Sequence, residues 1–224
     1  AALKAAFKEA GYPVIETFIQ GSLRTATTIK HPKNDFDIDR ALVIDSANAP
    51  EDPVEVKKVV CSVLEKRGFK DAKIKMPCVT ADYASLNLHI DIVVYRKSGD
   101  NYELAVGKRN SGDAVKEWSP SDPKGLIDNI NDKSSYVYIG STEDKLCQYK
   151  RLVRYMKRWR DEKFEDSVRK KVYSIGITVM LKEQFKPVLN EEGKPDDLQA
   201  LRDTVAAILT GGYFKPQVDG NYRV

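Results

Sequence analysis

The alternation of apolar and polar residues between positions 36 and 44 is typical of a strand with one buried face. One predicted face carries the apolar residues Phe36, Ile38, Leu42 and Ile44. The other face begins with two carboxylates and continues with small apolar residues, namely Asp37, Asp39, Ala41 and Val43. Because successive side chains of a strand point to opposite faces, both aspartates should point the same way.

The elements around this strand follow from similar patterns. Apolar residues at helical spacing predict helices over Leu3–Ala10 and Pro53–Arg67. Pro77–Tyr83 and Leu88–Arg96 are rich in residues that favour strands, and Asp91 interrupts the second of these runs. The first half of the chain is therefore predicted to form a helix–strand–strand unit.

From Trp118 onwards the pattern predicts helices only. An apolar stripe runs along a long helix and consists of Leu146, Tyr149, Leu152, Val153, Met156 and Trp159. Val172–Phe185 and Leu198–Leu209 are predicted to be further helices. We therefore expect an α+β fold, with a sheet-bearing lobe at residues 1–120 and a mostly helical lobe at residues 121–224.

Composition limits the class of protein. With 42% hydrophobic and 31% charged residues, the chain is expected to be globular, and its longest apolar runs are too short to cross a bilayer. Cys61, Cys78 and Cys147 form no closely spaced pair, so neither a disulfide framework nor a zinc site is expected. A cytoplasmic location fits these features. Because the chain starts at Ala1 rather than at a methionine, we expect it to be part of a longer protein.

The net charge of +4 is mild, yet Lys145–Lys171 is strongly basic, with eleven Lys or Arg residues against four Asp or Glu residues. Such a segment could be a solvated helix face, could contact a nucleoside triphosphate, or could bind nucleic acid. The first two interpretations stay open from the sequence. Activation by nucleic acid is the least favoured of the three.

The residues that indicate a chemistry are Gly21 and Ser22, then Asp37 and Asp39 after 14 intervening positions, then Asp91. Transfer of a nucleotidyl group is an in-line displacement at phosphorus, in which divalent ions stabilise the attacking and leaving oxygens. Carboxylates on neighbouring strands can hold such ions, because magnesium prefers hard oxygen ligands. A glycine lets the backbone approach a triphosphate, and the adjacent serine can donate hydrogen bonds to phosphate oxygens.

A pair of aspartates separated by one residue is a weak signal by itself, since acidic residues at strand ends are usually solvated. Asp91 strengthens the signal, because a carboxylate within an apolar strand is costly unless a metal or another cation meets it. His89 would share the face of Asp91, and we assign it a structural or supporting role rather than that of a catalytic base.

These residues also carry a family resemblance. The segment GSLRTATTIKHPKNDFDIDRALVI, followed by LHIDIVVYR, resembles the polymerase-β-like nucleotidyltransferase superfamily and, within it, the cGAS/DncV-like bacterial enzymes. The segments WSPSDPKGLID and KRLVRYMKRWRD resemble parts of the same bacterial group, the CD-NTases of CBASS anti-phage defence, and in particular its cluster D.

The resemblance implies a two-lobed polymerase-β-like fold, with a small mixed sheet and a mostly helical second lobe. It implies a cyclic oligonucleotide synthase that joins NTPs, including ATP, with release of pyrophosphate. Two Mg²⁺ or Mn²⁺ ions would bind together with the nucleotide, and a regulatory protein from the defence operon would be a partner. Two alternatives remain: a template-independent linear nucleotidyltransferase acting on RNA or protein, and an inactive nucleotide-binding module.

Carried over residue by residue, the metal ligands of the family correspond to Asp37, Asp39 and Asp91. Its nucleotide-binding positions correspond to Gly21, Ser22, Lys150 and Ser174. The pair Asp35 and Asp37 also has the required spacing, but Asp37 and Asp39 continue directly into the apolar strand and are preferred. Two residues, Arg40 and Ile175, depart from the pattern of the relatives.

Overall fold

The computed structural model describes residues 1–30, 36–69, 71–83, 88–132, 142–169, 171–213, 215–216 and 222–223. The chain forms two compact units. The first consists of Ala1–Thr25 and Lys33–Ile127, and the second of Ala26–Pro32 and Asp128–Val224. The alternative metal ligand Asp35 lies outside the described residues.

The first unit contains a mixed sheet of seven strands. They are β1 (Val14–Gln20), β2 (Phe36–Asp45), β3 (Lys73–Ile74), β4 (Val79–Tyr83), β5 (Leu88–Ser98), β6 (Asn101–Val106) and β7 (Glu117–Ser121). The main order is β1-β2-β5-β4-β3, while β6 pairs with the far end of β5 and with β7. Only β2 and β5 run parallel, and every other pair in this sheet is antiparallel.

The predicted faces of β2 are confirmed. Leu42 and Ile44 are buried in a core with residues of β4, β5 and β6, which α1 (Ala2–Glu9) and α3 (Val54–Lys66) cover. Ala41 and Val43, on the opposite face, pack in a smaller aromatic cluster with Phe18, Tyr95 and Tyr102 among others. Asp37 and Asp39 precede Ala41 on that second face, so the carboxylates lie next to the aromatic cluster rather than next to the helices.

The second unit is mostly helical. After α4 (Pro123–Asn131), which begins in the first unit, it contains α5 (Thr142–Lys163), α6 (Asp166–Arg169), α7 (Ser174–Gln184) and α8 (Asp197–Thr210). The second core contains Ile130, Tyr149, Leu152, Val153, Ile177, Leu181, Phe185, Ala200 and Ile208. The long helix therefore buries the middle of its predicted stripe, whereas Trp159 at the end of that stripe is 48% exposed and packs only edge-on against Phe164.

The predicted α+β class, with a mixed sheet and several helices, is confirmed. The prediction of helices only beyond Trp118 is wrong, because Trp118 lies in β7 and a short strand pair, β8 (Lys215–Pro216) and β9 (Tyr222–Arg223), follows α8. The indole of Trp118 donates a hydrogen bond of 2.9 Å to the carbonyl of Pro50 and stacks with Arg96. Within the part of the chain that is described, no helix has the length and apolarity to cross a membrane.

Candidate active site

The parallel pairing of β2 and β5 brings two of the predicted ligands together. Asp39 of β2 lies directly opposite Asp91 of β5, and Asp37 lies opposite His89. Asp37 is exposed, whereas Asp39 and Asp91 are half-buried. Carboxylates at directly paired positions repel one another unless a cation lies between them, so this arrangement is suited to binding one.

Gly21 approaches Asp39 from the other side of β2. The last residue of β1, Gln20, pairs with Asp39, and the chain then turns into the four-residue helix α2 (Gly21–Arg24). Gly21 has a φ of +64°, and a Cβ atom at this position would lie only 2.0 Å from Asp39 Oδ2. A side chain at position 21 would therefore displace the carboxylate. The sequence indicated the need for a glycine here, but it assigned that need to the triphosphate rather than to Asp39.

The aromatic cluster holds the amide end of the Gln20 side chain through Tyr95. Tyr95 Oη donates a hydrogen bond of 3.1 Å to Gln20 Oε1. Burial, with a smaller contribution from the negative charge of Asp39, raises the pKa of the Tyr95 hydroxyl to about 12, although the hydrogen bond with Gln20 acts in the opposite direction. Tyr95 therefore stays protonated and acts as a donor, which fixes the side chain beside Asp39.

Asp91 is held from β4. Thr80 is paired with Asp91 in the antiparallel β4–β5 ladder, and its hydroxyl donates a short hydrogen bond to Asp91 Oδ1. The buried Cys78 lies two residues earlier, with its Sγ 3.7 Å from Thr80 Oγ1. Burial raises the pKa of the Cys78 thiol to about 11, and the charge of Asp91 contributes to that increase. The thiol is accordingly protonated at neutral pH and carries no nucleophilic role.

The donor set fits a hard divalent cation. Among the described residues, there is no group of three or more His, Cys, Asp or Glu side chains close enough together to form a complete metal site. Two carboxylates do lie on adjacent positions of neighbouring strands, and Gly21 leaves room against one of them. Oxygen donors of this kind are the ligands that Mg²⁺ and Mn²⁺ prefer. Asp37, Asp39 and Asp91 are therefore the residues that would hold such ions.

Ser22 follows Gly21 within α2 and is half-buried. The hydroxyl of Thr25, at the end of this turn, donates to the carbonyls of Gly21 at 3.2 Å and of Ser22 at 3.3 Å. These contacts close the turn through its carbonyls. The conformation of the Gly-Ser motif is thus fixed by Thr25, a residue that the sequence analysis did not single out.

Lys150 and Ser174 belong to the second unit. Lys150, on α5, donates a hydrogen bond of 2.9 Å to Asn131 Oδ1 and is half-buried. Ser174 is the first residue of α7, and its Oγ accepts a hydrogen bond of 2.8 Å from Arg160. Their predicted contact with nucleotide stays a prediction.

The basic helix α5 contacts its own unit more than the sequence suggested. Arg154 donates to the carbonyl of Ala26 at 2.8 Å, and Arg158 donates to that of Lys30 at 2.7 Å. Lys157 is almost fully buried and donates to both the carbonyl and the hydroxyl of Thr27, at 3.1 and 3.2 Å. These cations therefore anchor the segment at residues 26–30, which neither the solvated-face nor the ligand-binding interpretation had anticipated.

His89 has a partner that fits the supporting role assigned to it. Its Nδ1 forms a short hydrogen bond with Asp82 Oδ1 of β4, and the two residues are paired in the β4–β5 ladder. His89 thus lies two positions along β5 from Asp91, on the same face of the sheet, and the row of Ile38, Ile90 and Ala81 separates their two rows.

Comparisons with known proteins indicate a nucleotidyltransferase family. Residues 15–95 match the family model of the nucleotidyltransferase domain of cyclic GMP-AMP synthase DncV-like proteins. This span contains Gly21, Ser22 and all three predicted metal ligands. The chain is also 28% identical over 201 residues to a cyclic GMP-AMP synthase of Escherichia albertii, an alignment that covers 85% of this chain and 42% of that protein.

Solved structures share the fold. The Vibrio cholerae DncV cyclic AMP-GMP synthase, in complex with the linear intermediate 5′ pppA(3′,5′)pG, superposes with a TM-score of 0.63 at 19% identity, covering 88% of this chain and 51% of that one. Escherichia coli DncV in its 3′-deoxy GTP bound form gives 0.63 at 20% identity, covering 90% of this chain and 53% of that one. The chain thus spans about half the length of the relatives it matches.

Proposed function

We propose, from the premise that this chain is a cGAS/DncV-like nucleotidyltransferase, that it joins NTPs into a cyclic oligonucleotide with release of pyrophosphate. The observation that carries this proposal is the contact of Gly21 with the carboxylate of Asp39, which in turn lies opposite Asp91. Three separate segments of the chain meet at this point, in the order and with the residue types that the family resemblance requires.

In the proposed reaction a ribose hydroxyl attacks the α-phosphorus of an NTP. A new bond forms between the hydroxyl oxygen and phosphorus, the bond from that phosphorus to the bridging oxygen breaks, and pyrophosphate leaves. The hydroxyl proton passes to solvent or to a carboxylate. Divalent Mg²⁺ or Mn²⁺, when bound, would stabilise the charge on the attacking and leaving oxygens.

Different residues of the chain would bind the metal ions and the nucleotide. Asp37 and Asp39 would hold the ions, and Asp91 would complete the set next to the attacking hydroxyl. Their close spacing keeps negative charge concentrated at one point of the sheet, which favours a divalent cation over a monovalent one. Ser22 would contact phosphate oxygens, while Lys150 and Ser174 are assigned to nucleotide binding from the family resemblance.

The biological setting follows from the same resemblance. The product would serve as a second messenger in anti-phage defence in the cytoplasm, and a regulatory protein from the same operon would control its synthesis. ATP would be among the substrates.

Pyrophosphate release from NTPs tests the assignment of ligands. Asp39→Asn should lower the rate by orders of magnitude while the protein stays folded, because one neutral oxygen replaces a metal-binding carboxylate. Asp35→Asn is the matched control and should retain most of the activity. Loss of turnover in Asp35→Asn with a near-normal Asp39→Asn would move the metal pair by two residues. Undiminished activity in both variants would contradict the assignment of Asp39 as a metal ligand, and a wild type that releases no pyrophosphate would contradict the enzyme hypothesis.

A further inference from the structure

Thr80 is a buried hydroxyl directed at one of the predicted metal ligands. It is 6% exposed and is the second residue of β4, paired with Asp91 of β5. Its Oγ1 donates to Asp91 Oδ1 across the sheet. An ionised carboxylate can only accept hydrogen bonds, so the direction of this bond is fixed: Thr80 is the donor.

Cys78 completes a short chain of hydrogen bonds behind Thr80. The thiol of Cys78 lies 3.7 Å from Thr80 Oγ1 and also interacts with the Asp91 carboxylate, so its proton can be donated to either residue. Both residues are buried, so water does not compete for the hydroxyl. The rotamer of Thr80 is consequently restrained from both sides, and so is the plane of the Asp91 carboxylate.

The carboxylate of Asp91, which accepts the hydrogen bond from Thr80, needs stabilising contacts from residues outside β5. No Lys or Arg side chain among the described residues forms an ion pair with Asp91, although its carboxylate is half-buried and lies opposite Asp39. Thr80 engages Oδ1 alone. The second oxygen, Oδ2, therefore differs from Oδ1 in its environment, and the carboxylate presents one particular oxygen rather than two equivalent ones.

We propose that Thr80 is a positioning residue that orients Asp91 to bind a divalent ion through Oδ2. This inference rests on the proposed function, since it concerns one ligand of the same site. Groups that hydrogen-bond to a metal ligand typically change metal affinity or activity 10–100-fold when they are removed. Thr80 acts through Asp91 and touches neither substrate nor product.

Direct binding of Mn²⁺, followed by electron paramagnetic resonance in the presence of a non-hydrolysable NTP, tests this inference without depending on turnover. Thr80→Val keeps the shape of the side chain and removes the donor, and it should weaken Mn²⁺ binding about 10-fold or more. Thr80→Ser keeps the hydroxyl and should bind within about threefold of the wild type. Thr204→Val is the matched control, since Thr204 is fully buried in the second unit and accepts a hydrogen bond from the amide of Lys186.

The outcomes separate the two proposals. Wild-type protein that binds no Mn²⁺, or Asp91→Asn that binds it as tightly as the wild type, would overturn the proposed ligand set itself. Weaker binding in Asp91→Asn together with unchanged or tighter binding in Thr80→Val would overturn only the role of Thr80. Equal weakening in Thr80→Val and Thr204→Val would also overturn it, because the effect would then be general. If Thr80→Val does not fold, as judged by circular dichroism, Thr80→Ala replaces it in the same series.

Discussion

Gly21→Ala should separate the stability of the fold from the integrity of the site. The new Cβ would lie 2.0 Å from Asp39 Oδ2, 2.8 Å from Cγ and 3.1 Å from Cβ. An ordinary contact needs about 3.4 Å, so the carboxylate oxygen must retreat by about 1.4 Å. The carboxylate is the end of a short side chain and can rotate away, so the collision falls mainly on the position of the ligand.

Two magnitudes follow. Alanine in the left-handed conformation at φ +64° costs about 1–2 kcal/mol, which for a chain of this size lowers Tm by roughly 2–8 °C. A displacement of about 1 Å in a reacting group can cost about 10²-fold in rate. We therefore expect kcat/KM for pyrophosphate release to fall by about 10²-fold or more, in a protein that melts only a few degrees earlier.

Gly11→Ala and Gly68→Ala are the matched controls. Both glycines have a positive φ, of +88° and +91°, and a Cβ at either position would meet nothing within 4 Å. Each should lower Tm at least as much as Gly21→Ala does and leave kcat/KM within about threefold of the wild type. If Gly21→Ala keeps the activity of these controls, the contact between Gly21 and Asp39 plays no part in catalysis and the reasoning is refuted.

Three further predictions concern buried or basic side chains. Lys150→Ala should raise the KM for NTP in steady-state assays with little change in Tm, whereas Lys163→Ala on the same helix should change neither. Equal KM values for Lys150→Ala and the wild type would contradict the predicted contact of Lys150 with nucleotide. Lys157→Met should lower the free energy of unfolding by about 1–3 kcal/mol in urea titrations, because it removes the hydrogen bond that Lys157 donates to the Thr27 carbonyl. An unchanged urea midpoint would contradict this prediction. Burial lowers the pKa of Lys57 from 10.5 to about 8, so between these pH values the unfolded chain binds the proton more strongly than the folded chain does. As the pH rises through that window, the free energy of unfolding of the wild type should increase by about 3 kcal/mol relative to that of Lys57→Met. A difference that does not depend on pH would contradict this prediction.

Local patterns predicted the faces of β2 because successive side chains of a strand point to opposite faces, so residues of one parity stay together whichever face is buried. Asp37 and Asp39 therefore lie on one face, as predicted. The pattern of residues in β2 did not predict which strand pairs with β2 beside these aspartates. The pairing of Asp39 with Asp91 joins positions more than 50 residues apart in the chain, and the chemistry of a metal site together with the family resemblance suggested that the two strands are neighbours, but not their register.

The contacts that position the proposed metal ligands could not be predicted from the sequence alone. Thr80 is an ordinary strand residue by composition, and its importance arises from the β4–β5 register. The basic helix shows the same limit, because charge alone suggested solvent or an anionic ligand and did not predict the hydrogen bond from Arg154 to the carbonyl of Ala26, 128 positions away. Backbone carbonyls carry no signal in the sequence, so such acceptors can be recognised only in the folded structure.

The central claim is tested most directly by the product. The protein, in its full-length form and with its genomic neighbour where needed, is incubated with all four NTPs and Mg²⁺ or Mn²⁺, treated with phosphatase and analysed by mass spectrometry, with Asp39→Asn in parallel. We predict phosphatase-resistant products whose masses equal those of cyclic oligonucleotides containing adenosine, present for the wild type and absent for the variant. Exclusively linear, phosphatase-sensitive chains would contradict the proposed cyclisation, and products that persist in Asp39→Asn would contradict the proposed site.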